Sequence, residues 1–124
     1  MALKRASRLR KSSEFQRVRQ QGRTLTSRLL ILAWIPNEVE RPRVGFVVSK
    51  RISKHAVERN YIKRLLSEAI RPFLPELSTS SDIVLSARSG ITNADLKMLR
   101  QDIITLLRRA RLLEPVHQPE REVK

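Results

Sequence analysis

The chain has 124 residues, 40% of them hydrophobic, which suits one domain with a single modest core. It carries 26 lysines and arginines against 12 acidic residues, a formal net charge of +14, so the expected partner is a polyanion. The absence of cysteine excludes disulfides and thiolate metal sites and favours the cytoplasm, and no run approaches the roughly 18 apolar residues of a membrane span.

The first eleven residues, MALKRASRLRK, predict a solvated basic arm. An arginine-rich, acid-poor mitochondrial presequence is the competing interpretation, although the segment is shorter than most of these. Residues 13–21 then predict a short helix, because Ser13 and Gln16 have the spacing of a capping box and Phe15 and Val18 form one apolar edge.

Three segments in the first half of the chain predict strands. Residues 29–35 are a continuous apolar run, and residues 43–49 are rich in β-branched and aromatic side chains, so the two are expected to pair as a hairpin. Residues 23–26 are a weaker strand candidate, followed by a bend or a bulge at Ser27 and Arg28. Gly45 indicates a bulge, a close approach by another backbone segment, or simply a tolerated glycine.

The second half alternates between helical and strand patterns. Helical periodicity runs over residues 56–73, and residues 83–87 predict a strand. Asn93 is the expected cap of a last helix, whose apolar face comprises Leu96, Leu99, Ile103, Leu106, Leu107 and Ala110. Residues 114–124 lack periodicity and predict a disordered tail. This order predicts an α+β fold, a compact single-domain α-β sandwich over residues 12–113 with helices packed on one sheet.

The helix over residues 56–71 combines a core face with a basic face. At about 100° per residue, the side expected to face the sheet holds Val57, Ile62, Leu65, Leu66 and Ala69. The opposite arc holds Arg59, Asn60, Lys63, Arg64, Ser67 and Arg71. This arc contains no acid, since Glu58 and Glu68 lie at its margins, where Glu68 can pair with Arg64 or Arg71.

An acid-free basic arc favours a phosphate backbone as partner, because uncompensated cations repel one another. The alternative is an ordinary solvated helix surface. Two features favour the polyanion: the loop Lys50, Arg51, Ile52, Ser53 and Lys54 leads into the same arc, and the N-terminal arm adds more cations. Asn60 could contact bases, sugars or phosphates, or could simply be an exposed helix residue.

The few aromatic residues divide between core and RNA-stacking candidates. Trp34, Phe46 and Phe73 lie in apolar contexts typical of a core. Phe15 and Tyr61 are the better candidates for stacking on an unpaired base, although Tyr61 points toward the apolar flank of its helix.

Nothing in the pattern predicts a catalytic polypeptide. The acids are scattered, whereas two-metal phosphodiester hydrolysis needs converging carboxylates. His55 lies at a helix start, where an RNA-facing or helix-terminal role is expected, and His117 lies in the tail. Phosphate-loop, zinc and nucleophile-elbow motifs are missing, so the sequence predicts a binding protein.

Residues 56–71, AVERNYIKRLLSEAIR, preceded by VGFVVSKR at 44–51, resemble the signature of the protein component of bacterial ribonuclease P. The resemblance includes RLRKSSEFQRVRQQGR at 8–23 and extends to about residue 113. It implies a left-handed βαβ crossover in a mixed sheet. It also implies a protein that assists a catalytic RNA in the endonucleolytic removal of the 5′ leader from precursor tRNA.

The resemblance also implies partners and site residues. The RNA subunit is expected to hold the catalytic Mg²⁺, so the protein binds no cofactor and is not catalytic alone. Arg59, Asn60, Lys63 and Arg64 match the family's basic helix, which contacts the RNA subunit, and Lys50 and Arg51 match its basic pair. Lys54 and Arg71 extend this predicted surface. Phe15 matches an aromatic of the cleft that receives the leader, and Arg19 stands where a second one often occurs.

The match has two departures in the basic helix. Tyr61 stands where the motif usually has a second arginine, and Ser67 where a basic residue commonly precedes the glutamate.

The expected partners are the RNA subunit and precursor tRNA, without a membrane or an obligate protein partner. A ribosome-associated or regulatory RNA-binding module is the alternative from another class, and membrane-surface binding is disfavoured because the basic arm lacks apolar anchors.

Overall fold

Four strands form one mixed sheet in a computed structural model that describes residues 5–78 and 80–113. The strands are β1 (Arg23–Thr26), β2 (Leu30–Pro36), β3 (Arg43–Val47) and β4 (Ser81–Ala87), in the spatial order β1-β2-β4-β3. β2 pairs antiparallel with β1 and with β4, whereas β3 pairs parallel with β4. The predicted α+β class with a mixed sheet is confirmed.

The predicted hairpin between residues 29–35 and 43–49 is wrong, because β4 lies between β2 and β3. β4 takes the interior position because Ile83, Val84 and Leu85 are consecutive and all fully buried, so both faces of this strand are covered. β2 instead forms its hairpin with β1, and the chain bends between them at Arg28 and Leu29, one residue later than the predicted Ser27 and Arg28.

Three helices cover the two faces of the sheet: α1 (Ser12–Gln21), α2 (Ala56–Ile70) and α3 (Leu96–Arg109). The main core contains Leu30, Leu32 and Leu85 with the apolar faces of α2 and α3. A smaller cluster on the other face contains Ala33 and Val84 with Val18 of α1. Because side chains alternate along a strand, one sheet supports both clusters.

Two predicted helix boundaries and two predicted caps need correction. α2 ends at Ile70 rather than residue 73, and a 3₁₀ turn, Arg71–Glu76, follows where the two prolines lie. α1 begins at Ser12, and Glu14 rather than Gln16 reaches back, accepting from the backbone N–H groups of Arg10 and Lys11 at 3.0 Å. At α3 the cap is Asp95, which accepts from the N–H of Met98 at 2.8 Å; Asn93 ends a preceding 3₁₀ turn.

The predicted basic arm is folded where the structure describes it. Leu9 is buried, and its N–H donates to the carbonyl of Val44 at 3.0 Å, so this segment lies beside the edge strand β3. Residues 1–4 and the predicted tail at 114–124 lie outside the described residues.

β3, α2 and β4 form the expected parallel βαβ unit, whose left-handedness stays a prediction. Across the described ranges, no helix is long and apolar enough to cross a membrane.

Candidate nucleic-acid interface

The face that α2 buries differs from the predicted one. Ile62, Leu66 and Ala69 are buried as expected, but Ile70 is also buried and Val57 is 81% exposed. Ser67, predicted on the basic arc, is only 6% exposed. The buried side is therefore rotated toward Ile70 and Ser67, because α2 packs on α3 as well as on the sheet.

The exposed side of α2 carries three of the eight residues predicted to bind the RNA subunit. Asn60, Lys63 and Arg64 are exposed, as predicted. Arg71, just beyond the helix, is exposed but donates to Glu68 at 2.8 Å. This surface is therefore not free of acid at its C-terminal end, and the cationic character is concentrated in the first three turns of the helix.

The loop before α2 is held against the helix by Arg59. Arg59 is half-buried, and its Nη1 donates to the carbonyl of Ser53 at 3.0 Å. Within the loop, the N–H of Ile52 donates to the carbonyl of Ser49 at 3.0 Å, forming a turn. Exposed on this loop are Lys50, Arg51 and Lys54. Arg59 thus supports the placement of three neighbouring cations in addition to carrying its own charge.

A groove between α2, β3 and the N-terminal segment brings several of these residues together. We call it the α2 groove; it is lined by Arg8, Phe46, Val57, Asn60, Lys63, Arg64 and Ser67. These described lining residues include three cations, one amide and no carboxylate. Phe46 packs against the core, as predicted, and also lines the groove.

Arg8 lines this groove, although the sequence did not predict it as a binding residue. The residue forms a parallel bridge with Val44, which places it beside β3. The strand-like alternation of Arg8, Leu9 and Arg10, with only Leu9 apolar, was the one available signal. Such a signal predicts an extended segment but not the strand beside which it lies.

Tyr61 lies on the exposed side of α2 rather than toward its apolar flank. It is 52% exposed, and the guanidinium carbon of Arg64 lies 5.9 Å from the centre of its ring, within cation–π range. Tyr61, which stands where the resemblance predicts an arginine, therefore lies at a position that solvent and ligands can reach.

The predicted leader-binding residues lie on the other face of the sheet. Phe15 is half-buried against Leu9 and Gly45, and Arg19 is exposed one turn later on α1. Gly45 and Phe46 are adjacent on β3 and point to opposite faces, so Phe15 and the α2 groove are separated by the sheet. The structure does not bring the two predicted sites together.

Gly45 is explained by the close approach of Phe15. A Cβ atom added to Gly45 would lie 2.3 Å from Cζ of the Phe15 ring, which is far inside van der Waals contact. A close approach therefore explains this glycine, but a side chain makes it rather than the backbone segment that the sequence predicted. The packed ring fixes α1 against the sheet.

An ionic network fastens the first turn of α1 to the sheet. Arg43 on β3 donates from Nε and Nη2 to the two carboxylate oxygens of the buried Asp82, both at 2.8 Å, and from Nη1 to Glu14 at 3.1 Å. Asn37 also donates to Asp82, at 2.8 Å. Arg17 adds an ion pair with Asp82 at 3.6 Å.

The network shifts the pKa of two of its members. Hydrogen bonds from the backbone N–H groups of Lys11 and Arg10, aided by the charge of Arg43, hold the pKa of Glu14 below 4.5. The hydrogen bond to Asp82 raises the pKa of Arg43 above its ordinary value. Both groups are therefore charged at neutral pH, and the network positions α1 rather than supplying an acid or base.

The described histidine does not form a catalytic arrangement. His55 precedes α2, is exposed, and donates its backbone N–H to Oγ of Ser53 at 3.2 Å. His117 lies outside the described residues. Within residues 5–78 and 80–113, no group of three acidic or histidine side chains could hold a metal ion.

Comparison with known proteins identifies the family. A model of the Ribonuclease P family matches residues 3–111. The chain belongs to the Ribonuclease P family. It is 43% identical, over 112 residues, to the ribonuclease P protein component of Chloroflexus aggregans, covering 90% of this chain and 82% of that protein. The component from Herpetosiphon aurantiacus is 36% identical, with 97% of each chain covered.

Solved structures support the same assignment. The RNase P protein of Staphylococcus aureus superimposes with a TM-score of 0.80 at 26% sequence identity, covering 89% of this chain and all of that one. The RNase P protein of Thermotoga maritima gives a TM-score of 0.74 at 25% identity, covering 82% and 96%. The sequence resemblance and the predicted fold are thereby confirmed.

Proposed function

We propose that the protein is the protein subunit of a ribonuclease P ribonucleoprotein. In this role it assists a catalytic RNA in removing the 5′ leader from precursor tRNA, and the polypeptide alone does not cleave. Its partners are the RNA subunit and precursor tRNA, with no membrane and no obligate protein partner. The proposed location is the cytoplasm.

The α2 groove is the observation that carries this proposal for a member of the family. Lys63, Arg64 and Arg8 present three cations to one groove whose described lining has no carboxylate, beside the amide of Asn60. Phosphate oxygens are the ligands that such a surface favours, and an amide can add contacts to sugars or bases. We assign the RNA subunit to this groove and to the adjoining Lys50, Arg51, Lys54, Arg59 and Arg71.

We assign the leader of precursor tRNA to the opposite face of the sheet, along α1. Phe15 supplies a half-buried aromatic ring and Arg19 an exposed cation there. Since β3 separates this face from the α2 groove, the two RNAs could be held together without competing. With one aromatic and one arginine, phosphate contact is expected to contribute more than stacking.

The proposed division of labour leaves the metal chemistry to the RNA. Mg²⁺ held by the RNA subunit would activate the attacking water and stabilise the leaving oxygen. The protein would bind the leader and neutralise RNA phosphates, so that less Mg²⁺ is needed for the same affinity. Its exposed arginines and lysines suit this function.

Reconstitution tests the proposed function. The protein and its RNA subunit together should cleave precursor tRNA at the mature 5′ end at a lower Mg²⁺ concentration than the RNA alone, and bind leader-bearing precursor better than mature tRNA. RNA-free protein should leave the precursor intact. Correct cleavage by RNA-free protein would refute the division of labour, and unaltered Mg²⁺ dependence would refute the assisting role.

Lys63→Ala tests the assignment of the α2 groove. The variant should bind the RNA subunit more weakly, with a log–log salt slope smaller by roughly 0.7 to 0.9 for each lost phosphate contact. Lys97→Ala is the matched control, because Lys97 is equally an exposed helical lysine but lies on α3. Equal changes in both variants would show that net charge, rather than this groove, determines affinity.

A further inference from the structure

A second basic groove lies at a corner of the fold that neither proposed RNA site uses. We call it the arginine groove, and its cations are Arg23 at the start of β1 and Arg109 and Arg111 at the end of α3. All three side chains belong to exposed residues, and the half-buried Trp34 lies beside them. The groove encloses about 680 Å³, within the range of roughly 300–1,000 Å³ that is common for ligand sites.

The charges of the arginine groove are uncompensated within the described part of the chain. None of the described residues that line it is acidic. The salt bridges formed among described residues use Arg17, Arg43 and Arg71, not the three arginines of this groove. Three neighbouring guanidinium groups repel one another, and an anionic ligand would relieve that repulsion.

Arg111 occupies a backbone position that normally favours glycine. Its φ is 63°, in the left-handed region, directly after the C-cap of α3. The N–H of Leu112 donates to the carbonyl of Leu107 at 2.9 Å and that of Arg111 to Arg108 at 3.0 Å, which is a Schellman motif. An arginine here keeps a strained backbone conformation, and such residues are concentrated at functional sites.

Trp34 makes the groove suitable for a nucleotide rather than for a bare anion. Trp34 is half-buried: it packs partly against the main core and also lines the groove beside the arginines. An aromatic side chain beside several cations is the combination with which proteins bind single-stranded nucleic acid, because the ring contacts a base or sugar and the cations contact phosphates.

We propose that the arginine groove binds the phosphodiester backbone of a single-stranded RNA segment. Gly22 also lines the groove; it caps the C-terminal end of α1, three residues after Arg19. RNA that follows α1 past Arg19 would therefore reach Arg23 next. Two RNAs could supply the segment: the part of the leader upstream of that held by α1, or a strand of the RNA subunit. The identity of these two candidate RNAs rests on the proposed function, whereas the binding of single-stranded RNA by the groove does not.

Binding of a labelled oligouridine to the full-length protein tests the groove without ribonuclease P activity. Arg23→Gln and Arg109→Gln should each weaken binding and reduce the log–log salt slope by about 0.7, the value for one phosphate contact to single strands. Lys97→Gln is the charge-matched control, because it removes one cation from the opposite end of α3. Equal losses in Lys97→Gln and Arg109→Gln would overturn the proposal.

Arg111→Gly separates binding from folding. Because glycine adopts a positive φ without strain, this variant should have a higher melting temperature than the parent protein while binding the oligouridine more weakly. Opposite directions of the two changes cannot arise from partial unfolding. Unchanged RNA binding in this variant would contradict a ligand role for Arg111.

Reconstituted holoenzyme distinguishes the two sources of RNA. If Arg23→Gln and Arg109→Gln lower the affinity for a long-leader precursor but not for one with a leader too short to pass α1, the segment is the upstream leader. If they weaken assembly with the RNA subunit instead, the segment belongs to that RNA. If the two variants weaken neither precursor binding nor assembly with the RNA subunit, the proposal is overturned. Lys63→Ala would still test the proposed function independently, because Lys63 lies in the α2 groove.

Discussion

The contact between Phe15 and Gly45 shows how a single side chain can determine the composition of a strand. A β-carbon at position 45 has no room unless the Phe15 ring moves. We predict that Gly45→Ala destabilises the protein by about 1–3 kcal/mol, the usual cost of overpacking. Urea denaturation of the variant and the parent protein would measure this difference in free energy of unfolding.

A double-mutant cycle identifies the clash as the cause. Phe15→Leu removes the ring atoms nearest to the added carbon, so Gly45→Ala should cost less in the Phe15→Leu background than in the parent protein. An identical cost in both backgrounds would place the strain elsewhere, for example at Leu9, whose Cβ is 3.2 Å from the added atom.

Glu14 makes the stability of the fold depend on pH. Its folded-state pKa is below the ordinary 4.5, so its ionised form stabilises the fold above pH 4.5, and this contribution is lost as pH falls through 4.5 toward the folded-state pKa. We predict that Glu14→Gln lowers the free energy of unfolding by about 1 kcal/mol at pH 7.

The pH dependence of that difference is the decisive measurement. The difference between Glu14→Gln and the parent protein should shrink when unfolding is measured below the folded-state pKa of Glu14. The carboxyl group of Glu14 is then protonated in both the folded and the unfolded protein. Glu58→Gln provides the control, since Glu58 is exposed in the first turn of α2. A Glu14→Gln difference that stays constant down to acid pH would contradict the role of the ionised carboxylate.

At the scale of the element, α2 shows that periodicity defines a face only approximately. The same sequence pattern is compatible with several rotations about the helix axis, and packing against α3 selects the one that buries Ile70 and exposes Val57. Val57 belongs to the first turn of α2 and is 81% exposed. The pattern predicted that the helix exists and that it is amphipathic, but not its final rotation.

Truncating one residue on each side of α2 checks this rotation. Ile70→Ala should cost about 2–5 kcal/mol, as for a buried aliphatic side chain. Val57→Ala should change stability by no more than about 0.5 kcal/mol, because the side chain is exposed. Chemical denaturation of both variants measures the contrast, and a large cost at Val57 would support the rotation predicted from sequence instead.

The two departures from the family motif have different consequences for the surface of α2. Tyr61 is exposed, so the arginine it replaces is missing from the accessible surface, where a ring beside Arg64 takes its place. Ser67 is buried, so a cation at that position would have to extend out of the interface to reach solvent. We therefore expect the absence of an arginine at 61 to have the larger effect on the proposed RNA contact.

For the whole molecule, we expect the net charge of +14 to give stability and the proposed RNA binding opposite salt dependences. Raising the ionic strength from about 0.01 M to 0.15 M shortens the Debye length from about 30 Å to 8 Å and weakens the repulsion among the excess cations. The same change weakens binding to phosphates through the loss of counterion release.

We therefore predict that the free energy of unfolding of RNA-free protein rises over this range of sodium chloride while RNA affinity falls. Thermal unfolding and filter binding across one salt series would measure both quantities. A stability that falls with added salt would show that the ion pairs around Arg43 outweigh the repulsion among surface cations.

The sequence by itself determined the class of the fold, the approximate span of each main element, the excess of cations and the family. These properties depend on local periodicity, composition and a nearly chain-long motif, and they need no knowledge of which distant residues meet. The basic character of Lys63 and Arg64 was predicted in the same way, as was their exposure.

Only the tertiary structure decided the position of β4 between β2 and β3, the rotation of α2, the placement of Arg8 beside β3, and the meeting of Arg23 with Arg109. Each depends on contacts between residues far apart in the chain, and several arrangements would satisfy the same local patterns. The energy of packing both faces of one sheet selects among them.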